Sequence, residues 1–155
     1  MKLKVPPAPP ADSPLWKLWE TFVATPNRLL FRATGGRVGG SFGGAPILLL
    51  HTVGRKSGER RATPLLYLPD GERVVLVASK GGTNRHPAWY HNLLAAPETE
   101  VELPRQGRRR MRARLATDDE RPDLWRRCVE IYPPYEDYQR RTSRRIPLIV
   151  LEPRE

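Results

Sequence analysis

Residues 48–94 read LLLHTVGRKSGERRATPLLYLPDGERVVLVASKGGTNRHPAWYHNLL, and this stretch decides the fold. It holds three apolar runs of strand length, two basic glycine-containing loops and one helix with a tryptophan. The basic groups fall where the apolar runs end, and a folded sheet presents its binding loops at those ends. The stretch therefore predicts a site for a large anionic ligand as well as a sheet.

The apolar runs predict an α+β fold, mainly antiparallel β, arranged as a small barrel or roll. A tight turn at Asp70–Gly71 joins two strands, and the Arg108–Arg110 run is predicted at the turn of a second hairpin. Thr117 and Glu120 form a capping box at the start of the longest predicted helix. The predicted strands cover residues 46–52, 61–68, 73–79, 98–103, 108–116 and 145–151, and the predicted helices cover residues 87–95, 118–132 and 135–141.

The chain divides into three predicted parts: a disordered Pro-rich lead (1–14), an amphipathic helix with a Gly-rich connector (15–45), and one barrel domain (46–153). Trp16, Trp19 and Phe22 share the apolar face of the helix, and basic residues flank it. This pattern is typical of a helix that lies on an anionic membrane. The alternative is a helix that docks on the domain or on a second copy of the chain.

Composition narrows the class of protein. The 155 residues include 27 Lys and Arg against 17 Asp and Glu, a net charge of +10 that attracts anions. The lone cysteine, Cys128, allows no disulfide framework and favours a reducing, cytoplasmic setting. No run approaches the roughly 20 apolar residues that span a bilayer, and the histidines lack metal-ligand spacing, so we expect no metal. Nucleic-acid binding is disfavoured because the cations cluster at glycine loops rather than along a stripe with aromatics.

The segment GRKSGERR (Gly54–Arg61) is the first basic loop. Its glycines permit a tight backbone, and Arg55, Lys56 and Arg61 can clamp a phosphate together with backbone N–H groups. The alternative, which spacing alone leaves open, is a solvated hairpin tip.

The segment ASKGGTNRHPAWYHN (Ala78–Asn92) contains the second basic loop and the start of a helix. Ser79 and Lys80 follow a strand, and Trp89 lies three residues before Asn92, so both share one helix face. An aromatic ring beside an amide suits a flat heterocycle, although a core role for Trp89 is the alternative. Two basic loops in one small domain favour a shared ligand.

Three tyrosines, Tyr132, Tyr135 and Tyr138, recur at a three-residue spacing in YPPYEDYQ. In a helical segment they line one side, and each offers a ring to stack and a hydroxyl to donate a hydrogen bond or proton. The alternative is an amphipathic packing edge.

Four segments, in order and with matching gaps, resemble the deazaflavin-dependent nitroreductase family, the F-420-dependent flavin/deazaflavin oxidoreductases of actinobacteria. They are TVGRKSGERRATPLLYL, VASKGGTNRHPAWYHNLLAAPE, IYPPYEDYQRRT and RRIPLIVLEP, within residues 46–153. The resemblance implies a split β-barrel like that of FMN-binding pyridoxamine-phosphate oxidase relatives. It also implies coenzyme F-420, a deazaflavin with a phospholactyl polyglutamate tail, as cofactor.

The implied activity is hydride transfer from the reduced deazaflavin to a quinone such as menaquinone, with nitroaromatics as further acceptors. Split barrels host several cofactors, so two alternatives stay open: an FMN or haem protein, and a non-catalytic F-420 carrier. These barrels often pair, so a homodimer is a separate expectation.

The resemblance also implies residue roles. Arg55, Lys56, Arg61 and Lys80 match positions that bind the phosphate and glutamates. Thr63 and Pro64 border the cofactor, and Tyr132, Tyr135 and Tyr138 wall the acceptor pocket. After Leu65 some relatives carry tyrosine, where this chain has Leu66. Residues matching those around the deazaflavin and acceptor are Ala78, Ser79, Trp89 and Asn92.

Overall fold

The computed structural model describes residues 45–154, together with Leu29, Ala33 and the pair Ser41–Phe42. The predicted Pro-rich lead and most of the predicted amphipathic helix and connector lie outside the described residues. The strands are β1 (Ser41–Phe42), β2 (Ala45–Val53), β3 (Arg60–Asp70), β4 (Arg73–Val77), β5 (Glu98–Leu103), β6 (Gly107–Leu115) and β7 (Leu148–Pro153). The helices are α1 (Ala88–Ala95), α2 (Arg121–Ile131) and α3 (Pro134–Arg140), and Lys80–Gly82 forms a short 3-10 turn.

Six strands form a closed antiparallel barrel in the order β2–β3–β4–β7–β6–β5, because β5 also pairs with β2. The two-residue strand β1 extends β2 at its beginning. Closure leaves the barrel strands with a partner on each side, which removes the exposed edges that invite aggregation. The predicted mainly antiparallel split barrel is confirmed.

Two apolar layers follow from the alternation of side chains along the strands. In β4, Val74 and Leu76 point into the barrel, where α1 closes the layer with Trp89 and Leu93. Val75 and Val77 point outward instead, into a layer that α2 and α3 cover. The second layer contains Tyr135, so the barrel wall and the tyrosine segment share a core.

The Arg108–Arg110 prediction is wrong: these arginines lie within β6, and the hairpin turn is formed by residues 104–106. Arg105 and Gly107 both have positive φ there, which gives the turn its tight reversal. The last strand begins at Leu148 rather than at residue 145. Pro147 has no N–H to donate to a ladder, and the backbone N–H of Ile146 donates to Gln139 instead.

The capping box before α2 forms as predicted. The Thr117 N–H donates to Glu120 Oε2 at 2.7 Å, and the Glu120 N–H donates to Thr117 Oγ1 at 3.3 Å. Further along α2, Cys128 is fully buried, and burial raises the pKa of its thiol to about 12. This thiol packs in the core, as its position on an apolar helix face predicts.

Candidate functional site

The first basic loop closes on itself through its backbone. The Gly54 N–H donates to the Glu59 carbonyl and the Gly58 N–H donates to the Gly54 carbonyl, each at 2.8 Å. Arg55 and Lys56 are exposed at the tip. Neither side chain has a carboxylate partner within residues 45–154, so both charges are available to an anionic ligand.

Arg61 lies at the start of β3, where it is half-exposed and 3.7 Å from the exposed Glu59 carboxylate. Such surface pairs contribute about 0–1 kcal/mol, so a ligand phosphate can displace this one at little cost. Thr63 and Pro64 follow in the same strand and are part-buried opposite Leu50 and Leu49 of β2.

Asn92 links the helix α1 to the first basic loop. Its Oδ1 accepts a hydrogen bond from the backbone N–H of Arg55 at 3.0 Å, and its Nδ2 donates to Thr52 Oγ1 at 3.4 Å. The side chain is 5% exposed. The Asn92 carboxamide therefore fixes the backbone position of Arg55. The spacing of residues along α1 did not predict this role.

The second basic loop, residues 78–86, has an unusual backbone. Lys80 (φ 44°), Gly81 (φ 64°) and Gly82 (φ 80°) are all left-handed, a conformation that costs a residue with a side chain about 1–2 kcal/mol. The Ser79 carbonyl accepts the Gly82 N–H at 3.0 Å. The Ser79 hydroxyl and the Lys80 ammonium make no hydrogen bond or ion pair with other described residues, so both remain available to a ligand.

Gly82 is the point where the second basic loop meets α3. A Cβ at this position would lie 2.6 Å from the Tyr138 carbonyl oxygen, well inside van der Waals contact. Only glycine permits this approach. The Thr142 hydroxyl adds a second link by donating to Asn84 Oδ1 at 3.0 Å.

The three tyrosines pack as a cluster with ring centroids 4.8–6.2 Å apart. Tyr135 is buried at 5% exposure, whereas Tyr132 and Tyr138 are part-buried with their hydroxyl oxygens 3.2 Å apart. Burial raises the pKa of Tyr135, and burial together with the Tyr138 hydrogen bond raises the pKa of Tyr132. Both phenols therefore stay neutral at physiological pH and can donate.

Trp89 and Leu66 lie in different layers. Trp89 is 8% exposed and belongs to the barrel interior together with Ala78 and Tyr67. Leu66 instead packs on the layer that contains the tyrosines. Leu66 and the tyrosines therefore belong to the same apolar layer outside the barrel.

A cleft of about 310 Å³ opens beside the first basic loop and is lined by residues of β2, β3, β5 and β6. Its lining includes none of the three clustered tyrosines. Arg60 and Arg110 line it, and neither pairs with a carboxylate of residues 45–154. The full lining is His51, Thr52, Val53, Arg60, Arg61, Ala96, Glu98, Thr99, Glu100, Arg108, Arg110, Met111 and Arg154.

The structure thus joins the predicted residues in two groups. The first basic loop is attached to α1, and the second basic loop is attached to the tyrosine cluster. Within the described residues, no hydrogen bond or ion pair runs directly from the first basic loop to α3. The chain continues from the second basic loop directly into α1. This covalent connection links the group at the first basic loop to the group at the tyrosine cluster.

Sequence reasoning missed Arg144, whose guanidinium donates to three carbonyls of the second basic loop and contacts His86. The sequence offers no signal for it, because Arg144 and Arg145 are adjacent arginines in TSRRIP. Burial, followed by the charges of Arg144 and His91, lowers the pKa of His86. No group of three or more His, Cys, Asp or Glu side chains in the described part of the chain is placed to hold a metal.

Comparison with known proteins gives a consistent result. A family model described as F420H(2)-dependent quinone reductase matches residues 26–153. The chain is 42% identical over 125 residues to the F420H(2)-dependent quinone reductase of Mycobacterium tuberculosis strain H37Rv, covering 79% of this chain and 84% of that protein.

Among solved structures, an F420-H2 dependent reductase matches with 39% identity and a TM-score of 0.62, covering 69% of this chain and 94% of the other. A domain-swapped dimer matches with 36% identity and a TM-score of 0.66, covering 90% of this chain and 100% of the other. HutZ, the haem storage protein of Vibrio cholerae, has 14% identity and a TM-score of 0.53 over 84% and 90%, which supports the barrel fold alone.

No helix among the described residues is long and apolar enough to cross a membrane. The family model matches most of the chain, and the relative from Mycobacterium tuberculosis is 42% identical over 125 residues. The chain therefore belongs to the F420H(2)-dependent quinone reductase family.

Proposed function

We propose that this chain is an oxidoreductase that binds coenzyme F-420 and reduces a quinone of the menaquinone type. The proposal is carried by Arg55, Lys56 and Lys80, which have no carboxylate partner among the described residues and lie on two loops that are both fixed to structural elements. A ligand with a phosphate and several carboxylates would satisfy these cations. Nitroaromatic acceptors, which the resemblance also implies, are part of the proposal.

The tail of the cofactor is assigned to the first basic loop. Its phosphate would be bound by Arg55, Lys56 and Arg61, with Lys80 contributing from the second loop. Hydrogen bonds from these charged groups to phosphate are about twice as strong as hydrogen bonds between neutral groups. Asn92 supports this assignment, since it holds the Arg55 backbone in place. The cleft beside Arg61 offers room for the carboxylates that follow the phosphate.

The ring is assigned to the region of the second basic loop, with Ala78, Ser79, Thr63, Pro64 and Trp89 around it. The Ser79 hydroxyl is free to donate to an oxygen of the ring or of the acceptor. When bound, the reduced deazaflavin would supply the hydride, as cofactors carry the hard chemistry and the protein supplies orientation and shielding. FMN is the less favoured occupant, because its tail ends in one phosphate.

The acceptor is assigned to the tyrosine cluster of Tyr132, Tyr135 and Tyr138. Quinone reduction to a hydroquinone takes up one hydride and one proton, so a neutral donor near the acceptor oxygen assists it. The hydroxyls of Tyr132 and Tyr138 are the candidates, since both side chains are only part-buried. Tyr135 would support their rings from the core.

Replacing Lys56 and Arg61 together by alanine tests the tail assignment. Each charge-assisted hydrogen bond contributes about 1.5–3 kcal/mol and every 1.4 kcal/mol is tenfold in affinity, so loss of two such bonds should raise the Kd for F-420 by about 100-fold or more. The control is Arg105→Asn with Arg109→Gln, which removes the same charge from the β5–β6 hairpin at two residues that do not line the cleft. Equal affinities of the two double variants in a fluorescence titration would refute the assignment.

We also propose peripheral contact with an anionic membrane through the predicted helix in residues 15–33. The support is its sequence pattern of tryptophans beside basic residues, together with a lipid-soluble acceptor. The predicted homodimer stays a prediction for this chain.

A further inference from the structure

Arg144 lies between α3 and β7 and directs its whole guanidinium at the second basic loop. Its Nη2 donates to the Ser79 carbonyl at 2.7 Å, and its Nε donates to the Thr83 carbonyl at 2.8 Å. Its Nη1 lies 3.2 Å from the Ala78 carbonyl and 2.9 Å from His86 Nδ1. Because arginine has no acceptor, Nδ1 of His86 must accept, which places the imidazole proton on Nε2.

The guanidinium of Arg144 forms hydrogen bonds with the loop and forms no ion pair with a described residue. No carboxylate of the described residues lies within ion-pair distance of it, and burial lowers its pKa without removing its charge. The adjacent Arg145 differs, since it is 62% exposed and pairs with Asp118 at 3.2 Å. Hydrogen bonds from a charged donor are about twice as strong as neutral ones, so Arg144 holds the loop firmly.

The loop needs such support. The left-handed backbone of Lys80 is strained, and strained conformations persist only where the surroundings over-determine them. The carbonyls bound by Arg144 belong to Ala78 and Ser79 before the left-handed turn and to Thr83 after it. One guanidinium therefore fixes both ends of the turn.

The backbone of Arg144 is fixed to the tyrosine helix α3. Gln139 Nε2 donates to the Arg144 carbonyl at 2.8 Å, and Gln139 Oε1 accepts the Ile146 N–H at 3.0 Å. Gln139 follows Tyr138 directly in α3. Arg144 thus connects the helix of the tyrosine cluster to the loop of Ser79 through two sets of hydrogen bonds.

We propose that Arg144 is a positioning residue that sets the distance between the second basic loop and the tyrosine cluster, and so aligns cofactor ring and acceptor for hydride transfer. The inference rests on the proposed function. It predicts that loss of Arg144 slows the chemical step more than it weakens cofactor binding, because the first basic loop still holds the tail. Loss of a residue with only a structural role would instead lower the stability of the protein, without slowing the chemical step more than it weakens cofactor binding.

The test compares Arg144→Gln and Arg144→Lys with the control Arg145→Gln, which removes the same charge one residue later. Hydrogen–deuterium exchange of residues 78–86 is measured on the cofactor-free proteins. Fluorescence titration then gives the Kd for F-420, and steady-state oxidation of reduced F-420 by menadione gives kcat.

For Arg144→Gln we expect exchange in the loop to rise at least tenfold, kcat to fall at least tenfold, and Kd to change less than about threefold. Arg144→Lys keeps the charge but not the fork of donors, so we expect it to remain impaired and to serve if the glutamine variant fails to fold. Unchanged exchange and unchanged kcat, or full activity of the lysine variant, would overturn the inference. A wild-type chain without turnover would instead overturn the function on which the inference rests, and the inference with it.

Discussion

The hydroxyl groups of Tyr132 and Tyr138 lie 3.2 Å apart and stand out among the individual residues of the site. Burial, then the Tyr138 hydrogen bond, raises the pKa of Tyr132 above the ordinary value of 10.0. The sign of this shift keeps the neutral, proton-donating form of Tyr132 at every pH below about 10. The sequence predicted a hydroxyl donor as well as a wall of rings, and the proton-donor role of Tyr132 remains a proposal.

Replacing Tyr132 or Tyr138 by phenylalanine should lower kcat/KM for menadione by about 2- to 10-fold if the hydroxyl only binds the acceptor. A fall of about 100-fold or more indicates proton transfer. Because the pKa of Tyr132 is raised, the pH profile of the wild-type chain should show no ionisation of Tyr132 below about pH 10. Tyr67→Phe removes a hydroxyl inside the barrel and is the control, and equal kcat/KM values for all four proteins would rule out both roles.

Among the elements, α2 and its capping box depend on one charge network. Arg114 Nη1 lies 2.5 Å from Glu120 Oε2, and the N–H of Thr117 donates to the same carboxylate oxygen. The hydrogen bond from Arg114, followed by that from Thr117, lowers the pKa of Glu120 from 4.5 to about 2. This network fastens the start of α2, and with it the layer that supports the tyrosines, to the strand β6.

The pKa of Glu120 is lowered in the folded state, so its stabilisation is full above about pH 4.5 and is lost as the pH falls towards about 2. Glu120→Gln keeps an acceptor for the Thr117 N–H but removes the charge that pairs with Arg114, so it should reduce the free energy of unfolding at pH 7 by about 1 kcal/mol. The difference from wild type should shrink across that acidic window. Glu130→Gln, at an exposed pair, is the control in urea titrations, and a pH-independent difference would contradict this account.

The strands and helices of the barrel could be predicted because each follows a local pattern: apolar runs of strand length, a tight turn at Gly71, and a capping box before α2. The prediction of a turn at Arg108–Arg110 failed because the actual turn places Arg105 in the left-handed region, a backbone conformation that arginine rarely adopts. The cationic loops were also visible in the sequence. The contacts of Asn92, Gly82 and Arg144 were not, since each joins segments that only the tertiary fold brings together.

At the scale of the whole molecule, the net charge of +10 serves two proposed partners, an anionic cofactor and an anionic membrane surface. Removal of residues 1–33 should lower association with phosphatidylcholine vesicles that contain phosphatidylglycerol, because the proposed interfacial helix is lost. The variant Arg105→Asn with Arg109→Gln keeps that segment while lowering the net charge. Co-sedimentation with vesicles that is unchanged by the truncation would refute the membrane proposal.

Family membership, two fixed cationic loops and a hydrogen-bonded tyrosine pair together support one account, in which reduced F-420 donates a hydride to a quinone. The most direct measurement mixes the purified full chain with reduced F-420 and menadione and follows the formation of oxidised deazaflavin, alongside binding titrations with F-420, FMN and haem. The account predicts oxidation that saturates with menadione, and tighter binding of F-420 than of FMN or haem. Micromolar binding of FMN or haem without any response to F-420 would contradict it.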